Sequence, residues 1–128
     1  MRLAGTHSDE LQAQGVLEIV GPDLDALIAF YLECGFTLQR RSESFAVVAW
    51  GGSQLLFLAE NRMAPVQPRW AGLRILVKDI QPLWQQALAR HWPIEHPLAD
   101  RGYGLLDFSL LDPAGFTLRF AQALPATG

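Results

Sequence analysis

The stretch Val16-Leu17-Glu18-Ile19-Val20-Gly21-Pro22-Asp23 is matched, 56 residues further on, by Gly72-Leu73-Arg74-Ile75-Leu76-Val77-Lys78-Asp79. Each reads as a short apolar strand that runs into a helix-capping aspartate. After Asp23 the apolar residues are Leu24, Leu27, Ile28, Tyr31 and Leu32; after Asp79 they are Ile80, Leu83, Trp84, Ala87 and Leu88. Both sets follow the i, i+3, i+4, i+7, i+8 spacing of one helix face. Pro82 falls in the first turn, where its missing N–H costs little.

The duplication continues past the helices. Extended segments bounded by turns cover 36–41, 45–49 and 54–59 in the first half, with Gly51-Gly52 as the last turn. They cover 93–97, 105–111 and 116–121 in the second, with Asp112-Pro113-Ala114-Gly115 as the turn. The last strands are offset by 62 residues, so the second half carries about six extra around Asp100 to Gly104. Repetition of one supersecondary unit predicts two tandem βαβββ modules in an α+β fold. Module 1 spans about 15–60 and module 2 about 70–122; 61–69, with Pro65 and Pro68, is the linker in a single domain 1–128. One helix covers only one face of such a sheet, so mixed sheets curling around a central cleft are expected.

Composition narrows the function classes. The chain has 128 residues, 50% hydrophobic and 18% charged, enough for one domain with a substantial core. No apolar run approaches the roughly 20 residues of a membrane helix. The polar start, Met1 to Gln14, lacks the apolar segment of an export signal and reads as a short flexible leader or as an arm that orders on a partner subunit. Cys34 is the single cysteine, so neither an internal disulfide nor a cysteine-based zinc site can form. A cytoplasmic location follows as the simplest expectation. Net charge is −3 without a basic stripe, which argues against nucleic acid.

Three stretches carry a resemblance to the vicinal oxygen chelate superfamily of glyoxalases, bleomycin resistance proteins and dioxygenases. They are Asp23-Leu24 through Ala29-Phe30-Tyr31 to Cys34-Gly35-Phe36, then Val77-Lys78-Asp79-Ile80, then Leu106 through Asp112-Pro113-Ala114-Gly115. Chain length and the Asp-Pro-Ala-Gly turn resemble the bleomycin-binding branch. The resemblance implies a homodimer whose clefts combine halves of both chains. It also implies, for the enzymes of the superfamily, a divalent metal held by His or Glu from the first and last strand of each half. The matching positions here are Val16, Phe57, Gly72 and Arg119, and none supplies an ordinary metal donor. No metal and no cofactor are therefore expected. His7, His91 and His96 read as surface or loop residues.

Strand alternation divides the side chains into two faces. The helix-facing set reads Leu17, Ile19, Ala46, Val48, Leu56, Leu58, Leu73, Ile75, Leu106, Phe108, Leu110, Leu118 and Phe120. The cleft-facing set contains Glu18, Phe45, Phe57, Arg74, Asp107, Ser109, Thr117 and Arg119. Trp50, Trp70, Trp92 and Tyr103 lie near strand ends or loops, where a cleft has its rim, whereas Trp84 belongs to the helix stripe and the core, and Trp92, just after the second helix, reads as core as well. Candidate ligand-binding residues are Glu18, Phe45, Trp50, Phe57, Arg74, Tyr103, Asp107, Ser109 and Arg119. Flat ligands stack on aromatic rings, and cationic groups also sit on ring faces. Arg119 suits a carboxylate, phosphate or carbonyl. Two readings of the charges stand side by side: Glu18–Arg74 or Asp107–Arg119 ion pairs that hold the halves together, or contacts to a ligand.

No catalytic residue is assigned. Ser109 and Thr117 reach the expected cleft without a histidine, and a base role for Asp107 or Glu18 has no support from spacing. The sequence therefore favours a non-enzymatic protein that sequesters a small aromatic or cationic, antibiotic-like molecule. The alternatives are a lyase, dioxygenase or transferase of this superfamily with a noncanonical metal site, or a partner-binding module.

Overall fold

A computed structural model describes residues 13–60 and 71–125. The leader up to residue 12, the linker 61–69 and Trp70 lie outside them. The first half runs β1 (Leu17–Gly21), α1 (Leu24–Cys34), β2 (Thr37–Arg41), β3 (Phe45–Trp50) and β4 (Ser53–Ala59). The second runs β5 (Gly72–Leu76), α2 (Gln81–Ala89), β6 (Ile94–Asp100), β7 (Leu105–Leu111) and β8 (Thr117–Ala123). Each half forms one four-stranded mixed sheet, ordered β1-β4-β3-β2 and β5-β8-β7-β6. The first and last strands of each half lie parallel, and the other pairs are antiparallel. The repeated βαβββ order and the α+β class are as the sequence predicts.

Local chemistry explains the helix ends. Asp23 caps α1 by accepting the Ala26 N–H at 3.0 Å. Gly35 closes α1 at φ 126°, and Trp50 stands 3.3 Å from where a Cβ would project, so a larger residue is excluded twice. The second cap departs from expectation. Asp79 bonds the Gln81 N–H at 3.1 Å, but the helix starts only at Gln81 and Ile80 is its cap residue. The side chain of Gln122 on β8 satisfies the Ile80 N–H at 2.8 Å instead. The predicted stripe on α2 is also shorter than the pattern suggests, since Leu88 is exposed while Ile80 and Ala87 are buried.

The register of β4 corrects the face assignment. Phe57 pairs with Ala46 and Ile19, and Leu55 with Val48 and Leu17. Phe57 and Leu55 therefore share the helix-facing side, and Phe57 packs 5.0 Å from the Tyr31 ring. Leu56 and Leu58 take the opposite face. The sequence-based assignment had placed these four the other way round. All four are apolar, so alternation of residue type carries no phase in this strand; only the hydrogen-bonded partners fix it.

One buried cluster joins both halves. Trp50 at the end of β3 meets Phe36 and, at 5.7 Å, Phe120 of β8, which in turn packs on Phe108. Trp84 covers Phe108 at 5.1 Å, as its place on the α2 stripe predicts. Trp92 is buried, and its Nε1 donates to Glu33 of α1 at 3.4 Å. The Tyr31 hydroxyl donates to Asp112 at 2.7 Å. Asp112 also accepts the N–H groups of Ala114 and Phe116, so one carboxylate shapes the β7–β8 turn and fastens α1 to it. Burial and the nearby Asp112 charge push the Tyr31 hydroxyl well above the usual phenol range. It stays protonated and keeps donating.

These ties all belong to the helix-facing sides and the turns. Among the described residues, no hydrogen bond, ion pair or ring contact joins the open face of one sheet to that of the other. A cleft closed by ion pairs between the two halves, one of the sequence-based readings, is thus not what the chain builds.

Candidate functional site

The open face of the second sheet carries a connected polar cluster centred on Asp107. Its β7 position pairs with Ala121 and places the side chain opposite the helix side, where Arg74 of β5 and Arg119 of β8 also project. Asp107 is wholly buried. Oδ2 accepts from the Tyr103 hydroxyl at 2.7 Å and from Arg74 Nη1 at 3.3 Å. Oδ1 accepts from Arg101 Nε at 3.0 Å and faces Arg119 Nη1 at 3.6 Å. Arg74 also lies over the Tyr103 ring, 5.4 Å from its centroid. Burial alone would raise the Asp107 carboxyl. The hydrogen bonds from Tyr103 and Arg101 and the charges of Arg119 and Arg101 outweigh that and hold it below its ordinary value.

Arg101 and Tyr103 sit in the short loop between β6 and β7. This loop is what remains of the extra residues in the second half, because β6 runs on to Asp100. The insertion thus supplies one guanidinium, Arg101, and the phenol of Tyr103, which contacts Asp107 and Arg74. Tyr103 was singled out from sequence as a rim aromatic; Arg101 was not. The surplus residues opposite a strand bearing Asp107 were the available signal.

Beside this cluster lies a second one. Ser109 is fully buried, and its hydroxyl lies 3.0 Å from His96 Nδ1 and 3.3 Å from Glu95. Thr117 donates to the same Glu95 oxygen at 3.0 Å. His96 is therefore not an isolated loop histidine. It lies in β6, paired with Ser109, and corrects the expectation that no histidine reaches this face. A serine beside a histidine has the form of an activated nucleophile. Here the serine oxygen is sealed inside the sheet, which leaves a structural knot holding β6 to β7 and β8.

The other sequence-predicted residues are dispersed. Glu18 is exposed on the open face of the first sheet and pairs with no charged group among the described residues. Phe45 shares that face through its pairing with Leu58, with the Arg40 guanidinium 5.6 Å from its ring centroid. Phe57 is removed from the site altogether, because it is core. Trp50 serves the core with one side of its ring, yet also borders a cavity of about 570 Å³ shared with Gly52, Arg74, Leu76 and Lys78. The Asp107–Arg119 pair exists, but within one sheet rather than across the halves, and Arg74 takes Asp107 instead of Glu18.

The donor set does not fit a metal ion. By register, the residue equivalent to Arg119 in the first half is Leu56 rather than Phe57, since Glu18 pairs with Leu56 as Arg74 pairs with Arg119. Val16, Leu56, Gly72 and Arg119 offer a cation no lone pair and one full positive charge. Gly72 has little room for a ligand, because a Cβ there would lie 3.0 Å from the Thr117 carbonyl oxygen. Among the described residues, no three His, Cys, Asp or Glu side chains converge. Cys34, the last residue of α1, is buried, and that burial pushes its thiol up to about 12, which disfavours the nucleophilic thiolate.

Residues 13–120 match the model of the Glyoxalase/Bleomycin resistance protein/Dioxygenase superfamily. The chain belongs to this superfamily. Its fold is similar to that of a bleomycin resistance determinant encoded on transposon Tn5, with a TM-score of 0.72 at 24% identity over 88% of this chain and 98% of the other. It is equally similar to a superfamily protein from Alicyclobacillus acidocaldarius, with a TM-score of 0.71 at 27% identity, covering 87% and 91% of the two chains. Lactoylglutathione lyase from Agrobacterium tumefaciens aligns with a TM-score of 0.70 at 19% identity, covering 89% and 96%. No curated protein matches the chain by sequence. Both binding proteins and enzymes share this superfamily fold, so the scaffold does not choose between them. Among the described residues, no helix is long and apolar enough to cross a membrane.

Proposed function

We propose that this superfamily member binds and sequesters a small aromatic molecule of the antibiotic-like kind, without metal-assisted catalysis. One observation carries the reading: Arg119 stands where the superfamily's enzymes would place a metal donor, and Arg74 is its paired neighbour. Two guanidiniums recognise polar ligand groups well and repel a cation. A structural relative of this fold is a bleomycin-binding protein complexed with bleomycin, which supports sequestration as a task for this scaffold.

Among the described residues, no side-chain bond joins the open face of one sheet to that of the other. We take the working unit to be a homodimer in which the second copy completes each cleft, acting in the cytoplasm as one domain, with neither nucleic acid nor membrane as partner. Sedimentation analysis tests the dimer directly; a monomer at micromolar concentration removes it.

The functional test is titration of metal-free protein with bleomycin-type drugs, followed by tryptophan fluorescence, because Trp50 borders the cavity. Saturable quenching is expected. Stoichiometric metal in the purified protein, together with turnover of a glyoxalase or dioxygenase substrate, would instead establish an enzyme with a noncanonical site.

A further inference from the structure

Three guanidiniums converge on a single carboxylate at the open face of the second sheet. Arg74, Arg101 and Arg119 all point at Asp107, with separations between 3.0 and 3.6 Å. One guanidinium is enough to neutralise one buried carboxylate. Glu95 is a further anion on this face, and one of its oxygens is engaged by Ser109 and Thr117. Counting it still leaves this face with positive charge in excess.

Hydrogen-bond capacity points the same way. Each guanidinium has five N–H donors. Arg119 makes only the 3.6 Å ion contact, is 24% exposed on its side chain, and donates no hydrogen bond to a described residue. Arg74 spends one nitrogen on Asp107 and another, at 3.5 Å, on Tyr103. Arg101 gives Nε to Asp107 and Nη2 to the Pro97 carbonyl. Asp107 thus serves as a hub for three forks, most of whose donors meet no acceptor among the described residues. Arg74 and Arg119 stand in directly paired strand positions, where like charges cost a sheet stability and only the shared Asp107 offsets them.

Beside Arg74 lies exposed apolar surface. Leu76 is two residues on from Arg74, on the same face, and is 70% exposed. It shares the cavity of about 570 Å³ with Trp50, Arg74 and Lys78. An aliphatic side chain that exposed beside fixed cations suits a ligand with one flat apolar body and one oxyanion.

We propose that Arg74, Arg101 and Arg119 form an oxyanion-binding site, held in place by Asp107 and Tyr103, for a small molecule bearing a carboxylate or phosphate on a flat apolar body. This rests on the small-molecule reading of the protein and narrows it. The aromatic part of the sequence-based ligand expectation is kept, while a cationic group of any ligand would be repelled here and would have to lie away from the three arginines.

Four probes of one shape provide the test at low ionic strength: benzoate, phenyl phosphate, neutral benzamide and cationic benzamidine. The readouts are the shift in Tm and calorimetric affinity for the full chain. Benzoate or phenyl phosphate should bind saturably and benzamidine should not; the tighter anion names the group. Arg119→Gln should weaken that anion about tenfold or more. Arg119→Lys, which keeps the charge and loses the fork, should fall between, and it decides the matter if the Gln variant does not fold. Benzamidine binding as tightly as the anions, or anion affinity unchanged in both variants, overturns the oxyanion site and leaves sequestration standing. Binding of neither these probes nor bleomycin-type drugs would overturn both.

Discussion

Arg74 and Arg119 occupy directly paired positions on the parallel strands β5 and β8, so two guanidiniums leave one face of the sheet side by side. Both lean on Asp107, at 3.3 and 3.6 Å, as the charge that lets them coexist. The relationship is asymmetric. Asp107 is buried and cannot be solvated, whereas both arginines reach water. Loss of the acid leaves cations stranded; loss of one arginine leaves the acid still bonded to Arg101 and Tyr103.

That asymmetry is measurable by urea denaturation. Asp107→Ala should cost about 2–4 kcal/mol, because it strips the counter-charge from three guanidiniums. Arg119→Met should stay within about 1 kcal/mol of the parent, since a partly exposed pair contributes little and a like-charge contact is relieved. Equal losses in the two variants would contradict the hub arrangement.

Acid should erase the contribution of Asp107. Its folded carboxyl titrates below the ordinary value of about 3.9, so between the two values the unfolded chain binds more protons and stability rises with pH. The stability gap between the parent and Asp107→Asn should be full above about pH 4–5 and shrink as pH falls through the folded value. Urea midpoints measured across this range read the effect directly; a gap constant with pH argues against it.

The register of β4 makes a distinct forecast. Phe57→Ala should cost about 3–5 kcal/mol, as a ring lost from the core beside Tyr31. Leu56→Ala, on the open face, should cost no more than about 2 kcal/mol. The reverse order would restore the assignment read from alternation.

Tyr31→Phe removes the donor that ties α1 to the β7–β8 turn while the ring remains. A loss of about 1–3 kcal/mol is expected, with an unchanged denaturant m-value. No loss at all would mean that the 2.7 Å bond to Asp112 contributes nothing net.

Gly72→His combined with Leu56→Glu tests the metal argument. The histidine Cβ would press on the Thr117 carbonyl, so a cost of about 1–3 kcal/mol is expected. Neither stoichiometric zinc nor turnover should appear, because Arg119 remains and the imidazole would have no supporting hydrogen bond. Tight zinc binding measured by competition with a chelator would refute it.

Much of this architecture was legible in the chain. The strand–cap–helix repeat at Asp23 and Asp79, and the turn signals around Gly51-Gly52 and Asp112-Pro113-Ala114-Gly115, specify two βαβββ units, because helical and strand periodicities are local properties. The open-face positions of Arg74, Asp107, Ser109 and Arg119 were legible for the same reason: each alternates with apolar neighbours that fix the phase. In β4 that contrast is absent, and Phe57 was misplaced. His96 and Arg101 escaped notice because their roles depend on β6 pairing with β7 through two register shifts, which no local pattern encodes.

The amino-acid order thus determined the elements, their duplication and the lack of metal donors at the strand positions that would need them, all of which follow from spacing along the chain. The tertiary structure decided which charges meet. Asp107 takes Arg74, Arg101 and Arg119 together, Glu18 is left apart, and the two halves join through Tyr31, Trp50 and Asp112. Residues far apart in sequence are brought within hydrogen-bond reach only when strands pair and turns close, and the cost of burying a charge then selects its partners.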